Sequence, residues 1–75
     1  MKTIYRDRYQ QMIDILIAER KRAKLTQIEV AQKLNKPQSY IAKIEGRDRK
    51  IDILEFIELC ETLGIKASSL IKQIE

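Results

Sequence analysis

The amino-acid sequence predicts a small, all-α protein with a single core. Only two glycines and one proline occur in 75 residues, of which 44% are hydrophobic and 35% charged, a composition typical of a packed helical domain. Apolar residues recur at helical spacing between residues that begin and end helices. A chain this short buries only about 60% of its unfolded surface, which supports one core. We therefore expect one domain, residues 1–75.

The first helix is predicted to follow an N-terminal arm, residues 1–6. Asp7 is a suitable N-cap, and apolar residues recur at helical spacing from Tyr9 to Leu16. The stripe continues beyond Leu16, so the helix is expected to end near Lys24.

The second and third helices are predicted from their end signals. Thr26 and Glu29 have the spacing of a capping box, in which each side chain accepts a hydrogen bond from the backbone N–H of the other. The helix is expected to stop at Asn35, which tolerates a left-handed conformation. Pro37 is suited to begin the third helix, which should run to about Glu45.

Residues 27–45 therefore have the pattern of a helix-turn-helix motif. In this motif two short helices, joined by a tight turn, cross closely so that the second can enter the major groove of DNA. Ala31 is the small residue at the crossing, and Ile41 and Ile44 are the apolar residues that hold the second helix. The motif predicts that the second of these helices reads DNA.

Two more helices complete the predicted core. Asp52 and Glu55 repeat the capping pattern, and Gly64 is the expected residue after the helix that they begin. Ser68 is the predicted cap of a short last helix. The apolar residues of the fourth helix should build much of the core: Ile53, Phe56, Ile57, Cys60 and Leu63.

The charges are distributed unevenly along the chain. Residues 1–50 hold thirteen Lys or Arg against six Asp or Glu, whereas residues 51–75 hold two against five. A basic region of this kind suits a polyanion, and charge alone fits DNA, RNA or an anionic membrane. No apolar run resembles a signal peptide or a membrane span, and Cys60 is the only cysteine. We expect a cytoplasmic protein that does not bind membranes.

Catalytic and metal-binding signals are weak. The chain has no histidine and no glycine-rich phosphate loop. Glu55, Glu58 and Glu61 lie three residues apart, which is the spacing of a solvated helical face. The sequence therefore predicts no enzyme, no metal site and no cofactor.

These segments resemble the lambda-repressor-like, or Cro-type, helix-turn-helix family, often called Xre-family regulators. The resemblance rests on LTQIEVAQKL at 25–34, PQSYIAKIE at 37–45 and ETLGI at 61–65, and extends from about residue 16 to residue 70. It implies a five-helix domain that binds operator-like double-stranded DNA, usually as a dimer. The implied function is that of a bacterial or phage transcription regulator, most simply a repressor. Asn35 and Lys36 depart from the glycine and the apolar residue common there.

The motif and the resemblance together predict the roles of individual side chains. Base readout is expected from the outer face of the third helix, at Gln38, Ser39 and Lys43. Phosphate contacts are expected from the helix ends and the basic flanks, at Gln27, Lys36, Tyr40, Arg47, Arg49 and Lys50. For Tyr40, a role in covering the core is an equal alternative, and Ser39 could touch phosphate instead of a base.

Arg20 and Glu45 are predicted to form a partly buried ion pair. Arg20 interrupts an otherwise apolar stripe, and Glu45 directly precedes Gly46. The resemblance implies such a pair at these positions. The alternative is that both side chains are solvated.

The last helix is predicted to form a dimer seam, because it carries more apolar surface than a terminal helix needs: Leu70, Ile71 and Ile74. The alternative is that these residues only cover the core of the monomer. An antitoxin that neutralises a protein partner and represses its own operon is the second functional hypothesis, and Ile15, Ile17 and Leu54 are candidates for its contact surface. A protein-interaction adaptor that has lost DNA binding is the third.

Overall fold

The computed structural model describes the backbone of residues 4–75 and the side chains of residues 8–75. Over this part of the chain the secondary structure is entirely helical, which confirms the all-α prediction. No helix in it has the length and apolarity needed to cross a membrane. The five helices are α1 (Ile4–Arg22), α2 (Gln27–Lys33), α3 (Gln38–Glu45), α4 (Ile53–Leu63) and α5 (Ala67–Ile74).

The first helix begins earlier than predicted. Its backbone is helical from Ile4, so Asp7 lies inside the helix and the arm of residues 1–6 was assigned too long. No glycine or proline precedes Asp7 to stop the helix from extending, and an acidic residue is favourable throughout the first turn as well as at the cap. Residues 1–3 of the arm lie outside the described residues.

Two other helix starts differ from prediction by one or two residues. Pro37 has an extended ψ of 156° and is the N-cap of α3, not its first helical residue. Lys66 is the residue before α5, so Ser68 lies within the first turn. Both capping boxes are formed as predicted: Thr26 with Glu29, and Asp52 with Glu55.

Four helices end in the same turn, with one residue in the left-handed region. After α4, Gly64 has φ 76°, and the Ile65 N–H donates to the Cys60 carbonyl at 2.9 Å. The same type of bond follows α1, α2 and α3, where the left-handed residues are Lys24, Asn35 and Arg47 at φ 61°, 59° and 62°. The prediction for Asn35 is confirmed. A left-handed residue with a Cβ costs about 1–2 kcal/mol, which the turn hydrogen bonds and the packing of the helices that the turns join have to offset at Lys24 and Arg47.

The core lies where α1 packs against α3, α4 and α5, while α2 covers it from the side of α3 and α4. Its buried side chains are Ile13, Leu16, Val30, Ala31, Ile41, Ile44, Phe56, Leu59, Cys60, Leu63 and Leu70. The prediction for Ile53 was wrong, because its side chain is 61% exposed. Ile53 is the first residue of α4, and the helix meets the core only from its second turn onward. Leu59 is buried there instead.

Candidate nucleic-acid interface

The α2–α3 pair has the packing that a helix-turn-helix requires. Ala31 is 2% exposed where α2 meets its neighbours, and Ile41 and Ile44 are each 2% exposed on the inner face of α3. With these residues inward, α3 presents a polar outer face. The exposed side chains of that face include all three predicted base-reading residues, Gln38, Ser39 and Lys43.

An ion pair lies directly behind this face, and it is the pair predicted from the sequence. Arg20 Nε donates to Glu45 Oε2 at 2.6 Å, and its Nη2 donates to Oε1 at 3.1 Å. Arg20 Nη1 also donates to the Leu25 carbonyl at 2.8 Å. Each of the two charged side chains is only 13% exposed. Bidentate geometry and low exposure make this pair stronger than a surface ion pair.

Hydrogen bonds continue from this pair to the outer face of α3. Gln27 Nε2 donates to Glu45 Oε1 at 2.9 Å, and Gln38 Nε2 donates to Gln27 Oε1 at 3.3 Å. The order is therefore Arg20, Glu45, Gln27, Gln38, and we call these four residues the polar relay. It links α1, the two ends of α3 and the first residue of α2. A sequence pattern identifies each residue but not the linkage.

The relay leaves Gln38 with free hydrogen-bonding capacity. A carboxamide has two N–H donors and one oxygen acceptor, and the relay uses one donor. The remaining donor and acceptor form the pair that binds the N7 and N6 edge of adenine in the major groove. Gln38 is thus held in position and still able to read a base edge.

A second cluster surrounds Tyr40 on the other side of α3. The Arg49 guanidinium lies 4.8 Å from the centre of the Tyr40 ring, and Lys36 Nζ lies 5.2 Å from it. Both distances are in the range of cation–π contacts. Arg49 is also paired with Glu55 on α4, with Nη1 to Oε1 at 3.0 Å and Nη2 to Oε2 at 2.8 Å.

The pKa values of Arg49, Glu55 and Tyr40 in this cluster are all perturbed, that of Arg49 upward by its hydrogen bonds to Glu55. The hydrogen bonds from Arg49 are the main cause that lowers the pKa of Glu55 from 4.5 to about 2, and the Asp52 backbone N–H adds to this effect. Burial raises the pKa of Tyr40 above its usual value of 10.0, and the negative charge of Glu55 raises it further. At neutral pH the cluster therefore holds an ionised Glu55 and a neutral Tyr40.

The predicted phosphate-binding residues fall into two groups. Lys36 and Arg47 are exposed beside α3, where cations could approach a DNA backbone. Lys50 is also exposed, and its Nζ lies 5.9 Å from the centre of the Tyr9 ring on α1. Gln27 and Arg49 are already engaged, in the relay and with Glu55 respectively. The pairing of Arg49 had no local signal in the sequence, because Glu55 lies six residues further on and across a loop.

Sequence reasoning missed one basic element of this surface. An open cleft runs beside the relay between the end of α1 and the start of α2, and its walls include Lys21, Lys24, Gln27 and Gln38. Lys21 was not among the predicted contacts. Its position on α1 relative to Gln38 depends on how α1 packs against the motif, which local periodicity does not reveal.

The predicted dimer seam is changed by the structure. Leu70 is 1% exposed and belongs to the core, so it is not available as a seam residue. Ile74 is partly buried against the core, and Ile71 is 40% exposed. Helical spacing places Leu70 and Ile71 on adjacent faces of α5. The face with Leu70 packs against α1 and α4 in the core.

The candidate partner surface is also smaller than predicted. Ile15 and Ile17 are partly buried and pack against the core. Leu54 is 67% exposed, and it lies next to Ile53 at the start of α4. Of the three predicted partner-surface residues, the exposed one therefore lies on α4 and the two on α1 are partly buried.

Comparisons with known proteins agree with this geometry. The family model described as "Helix-turn-helix" matches residues 16–70. No curated protein sequence is significantly similar to the chain. Among solved structures, the chain is similar to an XRE-family like protein from Pseudomonas syringae pv. tomato str. DC3000, with 35% identity and a TM-score of 0.91 over 95% of this chain and 87% of that one. The chain belongs to the XRE-type helix-turn-helix family and is a DNA-binding transcription regulator of that type.

Proposed function

We propose that this protein is a repressor of bacterial or phage type that occupies a palindromic operator as a symmetric dimer. The observation that carries the proposal is the polar relay, which holds Gln38 on the exposed face of α3 with one donor and one acceptor free. The ion pair stabilises the fold whatever the function, whereas its extension through Gln27 to an exposed glutamine serves a helix that reads bases. A base-reading helix needs such support, because readout depends on fixed geometry.

Affinity and specificity would come from different side chains. Gln38, Lys43 and Ser39 face the major groove and supply the specificity. Phosphate contacts come from the exposed cations Lys36, Arg47 and Lys50, and from Lys21 and Lys24 in the cleft. Gln27 and Tyr40 lie at the rim of this surface, where an amide and a hydroxyl can each donate to phosphate.

The first expected result is sequence-specific duplex binding with a steep salt dependence. If about six phosphates are contacted, the logarithm of the affinity should fall with the logarithm of the salt concentration at a slope near −5, because counterions are released. Selection from a random duplex pool at low salt, followed by titration of the enriched site, measures both quantities. A pool that yields no enriched sequence contradicts the proposal.

The second expected result concerns assembly. One recognition helix reads only a few base pairs, and a twofold axis with recognition helices about 34–36 Å apart doubles that length. Ile71 is the exposed apolar residue of α5, so Ile71→Asp should leave a folded monomer with weaker operator binding. Light scattering at tens of micromolar, together with footprinting, tests this. Ile53→Asp, on the α4 patch, is the matched control.

A monomeric wild-type protein that protects one asymmetric half-site would refute the dimer. If Ile53→Asp dissociates the protein and Ile71→Asp does not, the seam lies on α4.

The antitoxin-type alternative is favoured by one observation, the adjacent exposed side chains of Ile53 and Leu54. Such a patch suits a protein partner, although two residues are a small area compared with a stable interface. This alternative includes DNA binding and adds a partner to it. Co-purification of an operon-encoded protein, lost in Leu54→Asp and retained in Ile71→Asp, would support it.

A further inference from the structure

Arg49 carries one of the charges of the basic loop, yet the end of its guanidinium formed by Nη1 and Nη2 is already occupied. Both of its terminal nitrogens donate to Glu55, at 3.0 Å and 2.8 Å, while the guanidinium lies against the Tyr40 ring. The same fork of parallel N–H groups is what binds a phosphate through two hydrogen bonds. Glu55 and a DNA phosphate would therefore compete for this end of the Arg49 guanidinium.

Glu55 is itself fixed in place, so this competition is built into the fold. Its Oε1 accepts from the Asp52 backbone N–H at 3.0 Å, and the Asp52 side chain accepts from the Glu55 N–H at 2.8 Å. The side chain of Glu55 is 20% exposed. The capping box of α4 thus presents an immobilised carboxylate to the loop that joins α3 to α4.

Whether Arg49 is paired with Glu55 decides the net charge that this part of the surface presents to DNA. A free Arg49 would add one phosphate contact, which is independent of sequence and strengthens binding to every duplex. A paired Arg49 adds no net charge and acts through its contact with Tyr40, on the recognition helix. The Nζ of Lys36 lies 5.2 Å from the centre of the same ring, where its charge can serve the DNA backbone.

We propose that Glu55 is a positioning residue for DNA recognition, which holds Arg49 against Tyr40 and away from the phosphate backbone. This inference rests on the proposed function. Its consequence is selectivity: Glu55 lowers affinity for non-specific DNA while it braces α3 against α4. On this proposal Arg49 would not act as a phosphate clamp, which is the role predicted for it from the sequence.

The test is the salt dependence of binding by Glu55→Gln. Glutamine also serves at this position of a capping box, so α4 should remain intact, and circular dichroism and urea unfolding check this. Releasing Arg49 should add one phosphate contact and steepen the slope of log affinity against log salt by about 0.9, on both a selected operator and an unrelated duplex. Binding to the unrelated duplex should tighten, and the ratio of specific to non-specific affinity should fall.

Two further variants separate this role from a general effect of charge. Arg49→Ala combined with Glu55→Gln has the net charge of the wild type, and its slope should return to the wild-type value. Glu58→Gln removes the same charge one turn along α4, from an exposed side chain, and should change the slope less than Glu55→Gln.

Three outcomes would overturn the inference. An unchanged slope for Glu55→Gln, with a shallower slope for the double variant, would show that Arg49 already contacts phosphate. An equal steepening by Glu58→Gln would reduce the effect to net charge. If the wild type binds no duplex at all, the proposed function fails first, and this inference fails with it.

Discussion

Glu45→Gln is expected to lower the free energy of unfolding by about 3 kcal/mol. The substitution keeps the shape of the side chain but leaves the charge of Arg20 only 13% exposed and without its counter-ion. Breaking a buried pair from one side costs about 3–5 kcal/mol, and the lower end applies because Arg20 retains the Leu25 carbonyl as an acceptor. Urea unfolding at neutral pH measures the change.

An exposed ion pair on α1, the helix that carries Arg20, is the matched control. Arg22 pairs with Glu19 on α1, and the Arg22 side chain is 73% exposed. Glu19→Gln should therefore cost under about 1 kcal/mol. A similar small cost for Glu45→Gln would mean that Arg20 and Glu45 behave as solvated side chains. The polar relay would then not be anchored by a fixed ion pair.

Glu45 should also matter for DNA binding, because the relay passes through it. Gln27 takes its position from Glu45, and Gln38 takes its position from Gln27. In Glu45→Gln the oxygen of the new amide can still accept a hydrogen bond from Gln27, so base readout should persist in the folded protein. Glu45→Ala removes the acceptor and should weaken operator binding beyond the loss of stability, measured at a temperature where both variants are fully folded.

Gln38→Ala should cost about 1–3 kcal/mol in operator binding and relax the preference at one base pair, since one bidentate contact to a base edge is lost. Competitive binding against operators with every substitution at each position measures the loss and the position together. Binding to unrelated duplexes should stay close to that of the wild type, because the side chain carries no charge.

Gln27→Ala and Gln32→Ala extend this test. Gln27→Ala removes the acceptor that holds Gln38, so Gln38 can rotate. The preference at the same base pair should therefore relax, but by less than in Gln38→Ala. Gln32 is an exposed glutamine of α2, about 140° around the helix from Gln27, so its replacement should change nothing. If Gln38→Ala weakens every duplex equally, Gln38 is not a base-reading residue.

The candidate site shows how far local patterns reach. Gln38 and Lys43 could be assigned to the outer face of α3 because Ile41 and Ile44 define the inner face by their spacing. The pair of Arg20 with Glu45 was predicted because a charged residue interrupts an apolar stripe and the family resemblance supplied its partner; the structure confirms it. The engagement of Arg49 by Glu55 was not predictable, because it depends on the path of a loop.

The fold, like the site, has features that follow from local sequence patterns and features that do not. Capping boxes, the turn at Asn35 and the burial of Ile41, Ile44 and Phe56 are set by hydrogen-bonding groups and apolar spacing within a few residues, so they could be predicted from the sequence. The left-handed conformations of Lys24 and Arg47 oppose the intrinsic preference of these residue types, so the sequence did not predict them.

Which apolar residues remain on the surface was decided by the tertiary structure alone. Ile53, Leu70 and Ile71 all satisfy the helical pattern, yet they are 61%, 1% and 40% exposed. Periodicity assigns a residue to a face of its own helix, but burial depends on where another helix ends against that face. The same reason explains the polar relay, whose four residues come from three helices and meet only when α1 packs across the helix-turn-helix.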